Sequence, residues 1–278
     1  MLFRSTGRAE NINPVARLIN IDITDSNIIE IFKKEKFDIL NHHAAQVDVR
    51  ISVRDPLFDL KQNILGSVNL YEAAKETGVK KIIFASSGGT VYGEQKYFPA
   101  DESHGTEPVS PYGITKLTNE KYLHYYNIEY GIKHVIFRYT NVYGPRQNPH
   151  GECGVVAIFI NKMLEGSQPV INGDGLITRD YVYVGDVAKA NKLALGESVG
   201  GIYNICTGVE KDVNYIFNTL RKHTGSTCSE QHGPAKPGEQ LRSVCSYDKI
   251  KRELGWEPMV DISGGLADTV ESFIKKSR

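Results

Sequence analysis

The sequence predicts an α/β fold, a doubly wound parallel sheet followed by a small C-terminal lobe, and three observations predict it. Over the first two-thirds of the chain, short apolar runs alternate with longer helical patterns, the mark of βαβ units. One run, residues 81–86 (KIIFAS), is apolar at nearly every position, as in a strand buried on both faces. From about Asn148 the rhythm becomes shorter and less regular, passing through the turn signal Gly173-Asp174-Gly175 and then Pro234, Pro237 and Gly238. Residues 1–147 are therefore expected to build the sheet region. Residues 148–278 are expected to form a lobe interleaved with its last elements.

Each element has a local reason. Residues 18–21 read as a strand, and 25–34 as a helix capped by Asp25 or Ser26. Residues 37–42 (FDILNH) read as the next strand. A long helical stretch over 56–77 ends at Gly78, a residue suited to the left-handed position after a helix. A further helix runs over 110–130, with Ser110 as cap, Pro111 at its first position and Gly131 closing it. Residues 133–139 form the strand after it, and 155–164 another helix.

Composition narrows the classes of function. At 278 residues with 40% hydrophobic content, the chain can bury a sizeable core. Lys plus Arg and Asp plus Glu balance at 33 each, so no excess charge points to a nucleic acid or an anionic membrane. No apolar run reaches transmembrane length, and the opening Met1-Leu2-Phe3-Arg4 is too short to read as a signal peptide. Cys153, Cys206, Cys228 and Cys245 show neither CxxC nor zinc-ligand spacing, so no metal is expected and a reduced, cytoplasmic protein is.

The sharpest chemical signal is Tyr112-Gly113-Ile114-Thr115-Lys116. Four residues make one helical turn, so the phenol and the ammonium share a face. A tyrosine titrates near about pH 10 in water, and a nearby cation draws that value toward neutrality, as a general acid/base requires. The plain alternative is an amphipathic helix carrying Tyr and Lys by chance. Upstream, the apolar strand runs directly into Ser86-Ser87-Gly88-Gly89-Thr90-Val91-Tyr92-Gly93. Hydroxyls at the carboxyl end of a parallel strand sit where doubly wound sheets bind ligands, although an ordinary Ser/Gly turn would read the same way.

Taken in order, SSGGTVYG, SPYGITK, RYTNVYGPRQ (138–147) and GDGLITRDYVYVGDVAKA (173–190) resemble the extended short-chain dehydrogenase/reductases. Within them the resemblance is best to the epimerases that act on UDP-glucose at C4. His42-His43-Ala44-Ala45-Gln46 with Ser52-Val53-Arg54-Asp55-Pro56, Pro237-Gly238-Glu239 and Lys251-Arg252-Glu253-Leu254-Gly255-Trp256 extend the resemblance to residues 5–278.

The resemblance implies a Rossmann-like sheet, with a dinucleotide-binding region over 1–147 and a nucleotide-sugar lobe over 148–278. It also implies NAD as cofactor, a UDP-sugar as substrate and a homodimer. A hydride leaves C4 for NAD while Tyr112 takes the hydroxyl proton, and it returns to the other face of the 4-keto sugar. Lys116 supports Tyr112 and holds the nicotinamide ribose. Asp22 and Ile23 would lie at the adenine, with Ala44, Ala45, Asn63, Ser86 and Tyr139 along the rest of the dinucleotide. Asn141, Arg179 and Lys236 would meet the nucleotide-sugar, where the planar guanidinium of Arg179 suits a diphosphate, the alternative being an ion pair with Asp180 or Asp186.

Two departures from the family pattern stand out. The position three before the Val of VYG, a Ser or Thr in the family, is Gly88 here. Ser87, Thr90 or a water must then supply that hydrogen bond, with Ser87 narrowly favoured. No carboxylate pair follows Gly88, which disfavours dehydration; a dehydratase or decarboxylase of the same family and a non-catalytic remnant are the rival readings. The second departure is at the start, where Ser5-Thr6-Gly7 resembles the loop after the family's second strand. The opening strand, its GxxGxxG turn and helix, and the second strand are thus expected to be missing. A chain without that helix N-terminus is expected to hold NAD weakly and to expose sheet interior.

Overall fold

The protein is described here by a computed structural model covering residues 9–150, 154–236 and 240–277. Ser5-Thr6-Gly7, Cys153 and Pro237-Gly238-Glu239 lie outside the described residues. The strands are β1 (Ile39–His42), β2 (Lys81–Ser87), β3 (Lys133–Tyr139), β4 (Asn141–Tyr143), β5 (Ile171–Asn172), β6 (Thr178–Tyr183), β7 (Gly201–Ile205), β8 (Glu210–Asp212), β9 (His232–Gly233) and β10 (Arg242–Ser243). The helices are α1 (Ile28–Glu35), α2 (Val49–Arg54), α3 (Pro56–Leu60), α4 (Gly66–Thr77), α5 (Pro111–Tyr130), α6 (Val155–Leu164), α7 (Val184–Ala194), α8 (Val213–Thr224), α9 (Asp248–Leu254) and α10 (Ile262–Ser277). A π-helical turn over Lys61–Leu65 joins α3 to α4.

The fold is α/β and Rossmann-like, and the chain divides into two compact units. One takes the described residues through Gly93, then Thr106–Arg138 and Leu193–Tyr203. The other takes Glu94–Gly105, Tyr139–Lys192 and the described residues from Asn204 onward. The chain thus passes back and forth between the units.

The first unit is built on the sheet ordered β1-β2-β3-β7. β1 lies parallel to β2 in the register Ile39↔Lys81 to His42↔Phe84. Every residue of β2 from Lys81 to Ser86 is buried, as its unbroken apolar run predicts. Ile28 and Phe32 of α1, Leu70 and Tyr71 of α4 and Leu123 of α5 share one core with Ile82 and Phe84 of β2. Burial of each such side chain contributes about 1.5–3 kcal/mol before entropy is counted.

Two expected elements differ from what is observed. Residues 18–21 form no strand: among the described residues β1 has β2 on one side and no strand on the other. A strand exists through its ladder, and without a neighbour this apolar run stays irregular, with Leu18 exposed. The helix expected from residue 25 starts at Ile28, because the Asp25 carboxylate instead accepts from the Asn27 backbone N–H at 2.8 Å and its side-chain amide at 2.9 Å.

The second unit is centred on strands ordered β10-β6-β4, with β8 antiparallel to β6, and on a separate β5–β9 pair. Val156, Phe159 and Ile160 of α6, Phe217 and Leu220 of α8 and Leu266 of α10 form its core. Gly173 and Gly175 both take positive φ in the turn before β6, as the Gly-Asp-Gly signal requires.

Candidate active site

Parallel pairing of β1 and β2 brings their carboxyl ends to the same edge of the sheet. His43, Ala44 and Ala45 leave β1 there, and Ser86 and Ser87 end β2 there. In doubly wound sheets that edge is where ligands bind.

Helix α5 is aimed at this edge by its own cap. The Ser110 side chain accepts from the Gly113 N–H at 3.1 Å, and Pro111 occupies the first turn. The glycine in YGITK is needed for close approach. A Cβ on Gly113 would stand 2.9 Å from Pro108 Cβ and 3.0 Å from the Thr90 carbonyl oxygen, so the Ser87–Thr90 turn could not lie against the helix. Tyr112 donates its backbone N–H to Ser52 Oγ at 3.1 Å, and that hydroxyl donates to the Val49 carbonyl at 2.6 Å. Tyr112 is half-buried.

Lys116 is buried one turn later, and its ammonium donates to the Ala85 carbonyl at 2.7 Å. It stands 4.9 Å from the centroid of the Phe84 ring and 5.6 Å from that of Tyr112, so phenol and ammonium do share a face. Burial lowers the Lys116 pKa to about 8, against a counter-pull from Asp59. His42, wholly buried with Nε2 2.9 Å from Ser67 Oγ, is brought down to about 3 by burial and then by the Lys116 charge. It is neutral at pH 7, and Lys116 is cationic.

The other hydroxyls sort by environment. Ser86 donates to Glu120 Oε1 at 2.6 Å and so belongs to the buried Glu120–Arg138 pair. Ser87 is half-buried at the end of β2, and its carbonyl accepts from the Val91 N–H at 3.0 Å, closing the turn. The Thr90 hydroxyl is shielded from solvent with no hydrogen-bond partner among the described residues.

Asn63, buried in the π-helical turn, is fully engaged. Its amide oxygen accepts from the Gln46 N–H at 2.7 Å, and its Nδ2 donates to the Gln46 carbonyl and to Asp59 Oδ1, both at 2.9 Å. It therefore clamps the loop after β1. The π turn falls within the long helical stretch expected over 56–77. Asp22 is exposed and accepts from the Thr24 N–H and hydroxyl, each at 2.8 Å. The Ile23 side chain is wholly within the core, leaving its main chain, whose carbonyl accepts from Asn69 at 2.8 Å.

The remaining expected residues fall in the second unit. Tyr139 ends β3, its hydroxyl accepting from Asn191 at 2.8 Å. Asn141 opens β4 opposite Tyr181 of β6 and is exposed. Arg179 of β6 donates to the Thr178 carbonyl at 2.7 Å. The two carboxylates weighed as its partners are engaged elsewhere. Asp180 accepts from Thr207 and Gly208, while Asp186 pairs with Lys189 and accepts from the Met259 and Val260 N–H groups. Lys236 is half-buried in the loop after β9.

Ser52 and Thr115 enter the sequence motifs without an assigned role, and Asp59 not at all, yet Ser52 accepts from the Tyr112 N–H and Thr115 Oγ1 stands within reach of both Asp59 and the Tyr112 carbonyl. A signal did exist for one of them, since Asp59 and Asn63 are four apart in a helical stretch and must share a face.

These residues fit part of a dinucleotide. A buried ammonium with donors beyond the one given to Ala85, two small residues in Ala44 and Ala45, and the half-buried Ser87 suit a ribose and a flat ring. Among the described residues no glycine-rich strand–turn–helix precedes β1 to hold a pyrophosphate.

Comparison with known proteins agrees. Residues 3–206 match the family described as the NAD dependent epimerase/dehydratase family. The chain is 44% identical over 274 residues to a putative UDP-glucose 4-epimerase of Methanocaldococcus jannaschii, covering 99% of this chain and 89% of that protein. The crystal structure of a Thermotoga maritima UDP-glucose 4-epimerase with UDP-glucose superposes with a TM-score of 0.96 at 45% identity, over 99% of this chain and 90% of that one. A Thermus thermophilus UDP-glucose 4-epimerase complex with NAD gives 0.93 at 40% identity, over 98% and 89%. This chain therefore belongs to the NAD dependent epimerase/dehydratase family, whose cofactor is NAD.

Proposed function

We propose that the protein epimerises a UDP-sugar at C4, UDP-glucose and UDP-galactose first, through a 4-keto intermediate. The observation that carries this reading is the Tyr112–Lys116 pair at the carboxyl ends of β1 and β2, in a chain this similar to proteins named UDP-glucose 4-epimerase.

NAD, when bound, supplies the hydride acceptor and then the donor. Ala44, Ala45, Lys116 and Tyr139 are the residues proposed to hold it, with Asp22 and Ile23 toward the adenine. Tyr112 takes the proton from the sugar hydroxyl and later returns it, worth roughly 10²–10⁴-fold in rate. The Lys116 cation favours the phenolate during that transfer. Ser87 offers the hydrogen bond that Gly88 cannot, and Thr90 is the second candidate. Asn141, Arg179 and Lys236 are proposed for the UDP-sugar, the guanidinium for its diphosphate.

A homodimer and a cytoplasmic location complete the proposal. Leu57 is 78% exposed, Leu60 and Leu65 are exposed as well, and so are Ile114 and Ile128 on α5, apolar side chains that a second copy could cover. Cys206, Cys228 and Cys245 are free thiols, and among the described residues no helix is long and apolar enough to cross a membrane.

The test is to incubate the protein with NAD and UDP-glucose and follow the sugar by proton NMR. UDP-galactose is expected at equilibrium with UDP-glucose; a 4-keto-6-deoxy product would instead support the rival dehydratase, and loss of carbon dioxide from UDP-glucuronic acid in a parallel incubation the rival decarboxylase. If NAD is verified as bound by mass spectrometry and no UDP-sugar is interconverted, the reading fails.

A further inference from the structure

Asp59, in α3, is wholly buried and lies within the first unit beside the candidate site. Its Oδ1 accepts from Gln46 Nε2 and Asn63 Nδ2, both at 2.9 Å, and Thr115 Oγ1 stands 3.0 Å from its Oδ2. Two of these partners can only donate, which is the environment of an ionised carboxylate. Thr115 Oγ1 is also 2.9 Å from the Tyr112 carbonyl, so one hydroxyl links Asp59 to the residue proposed as acid/base. Through Asn63 and Gln46 the same carboxylate reaches the loop that leaves β1.

Burial raises the Asp59 pKa above the usual carboxylate value, against the hydrogen bonds from Thr115 and Gln46 and then the charge of Lys116, which all favour the ionised form. The other groups facing Lys116 are Phe84 and the Ala85 carbonyl from β2, Tyr112 from its own helix, and His42 and His43 at the end of β1. Both histidines are shifted down and neutral at pH 7. Among the described residues, Asp59 is thus the anion whose charge acts on Lys116.

We propose that Asp59 is a positioning residue for this site, its buried carboxylate holding Thr115 and Asn63 in place and supplying the counter-charge for Lys116. The inference rests on the reading of Tyr112 and Lys116 as the reacting pair.

The test follows Lys116 directly, by NMR titration of protein carrying [ε-¹³C]lysine, with the resonance assigned by its loss in Lys116→Arg. In the unaltered chain the resonance is expected to show a second inflection at the midpoint of Asp59, read in parallel from [γ-¹³C]aspartate. In Asp59→Asn, shown folded by near-ultraviolet circular dichroism, the Lys116 midpoint is expected to fall by roughly one pH unit or more. Asp59→Glu, which keeps the charge, restores most of that shift. The converse holds in Lys116→Met, where the Asp59 midpoint rises, because coupling between two titrating groups is mutual. A Lys116 midpoint unmoved in folded Asp59→Asn overturns the proposal. If that variant does not fold, absence of the second inflection in the unaltered chain does the same. Coupling found without any UDP-sugar turnover supports the Asp59–Lys116 link while failing the reading of function; turnover without coupling overturns this inference alone.

Discussion

The Lys116 ammonium donates to the Ala85 carbonyl across 2.7 Å, tying helix α5 to the carboxyl end of β2. One side chain therefore fixes the distance between the helix that carries Tyr112 and the strand that carries Ser87. Lys116→Ala is expected to lower kcat and to weaken NAD binding together, because the ammonium has both a charge and an anchoring role. Steady-state kinetics and isothermal titration with NAD check the two halves, and a change confined to kcat would remove the lysine from the cofactor site.

Tyr112→Phe is expected to cut kcat by roughly 10²-fold or more, with KM for the UDP-sugar nearly unchanged. The variant keeps the backbone N–H to Ser52 and the ring beside Lys116, so only the proton transfer is lost. Wild-type turnover in a folded Tyr112→Phe protein would show that another group moves the proton.

Ser87→Ala is expected to cost more than Thr90→Val. One transition-state hydrogen bond is worth about 1.5–3 kcal/mol, or around 10- to 150-fold in kcat. The Thr90 hydroxyl is buried without a partner among the described residues, so its removal is expected to leave stability nearly unchanged. Paired kcat and melting measurements on both variants decide the order; a larger kcat loss at Thr90 would move the role there.

Glu120 and Arg138 form a buried ion pair at 2.6 Å, with Ser86 on the carboxylate and Tyr92 on the guanidinium at 3.0 Å. Removing one partner leaves the other charge buried. Glu120→Ala is expected to destabilise the protein by about 3–5 kcal/mol. Urea unfolding measures it, and a loss below about 1 kcal/mol would mean the site rehydrates.

Acid stability is expected to depend on His42. Its folded pKa, about 3, lies below the unfolded value of 6.5, so the unfolded chain binds the extra proton between these values. Stability from this residue is therefore complete above 6.5 and declines as pH falls toward 3, by about 1.4 kcal/mol per pH unit within the window. His42→Gln, which keeps an amide near Ser67, should flatten that limb of the stability curve. A slope equal to wild type would assign acid unfolding to other groups.

Much of this protein was determined by its sequence alone. The run KIIFAS specified a doubly buried strand because only a central parallel strand can hide both faces of such a run. Ser110-Pro111 and Gly131 set the ends of α5, and the four-residue spacing of Tyr112 and Lys116 set their shared face, because caps and helical pitch are local physics. What only the tertiary structure decided was everything that depends on a neighbour. Residues 18–21 have strand-like composition but no ladder to join, so they stay irregular. The partners of two residues that the resemblance places along the dinucleotide were decided there too: Asn63 bonds to the loop after β1, and Ser86 to the Glu120–Arg138 pair. Asp59 matters because folding sets a carboxylate more than fifty residues away in sequence against Thr115, and no local pattern encodes a contact made only when the core closes.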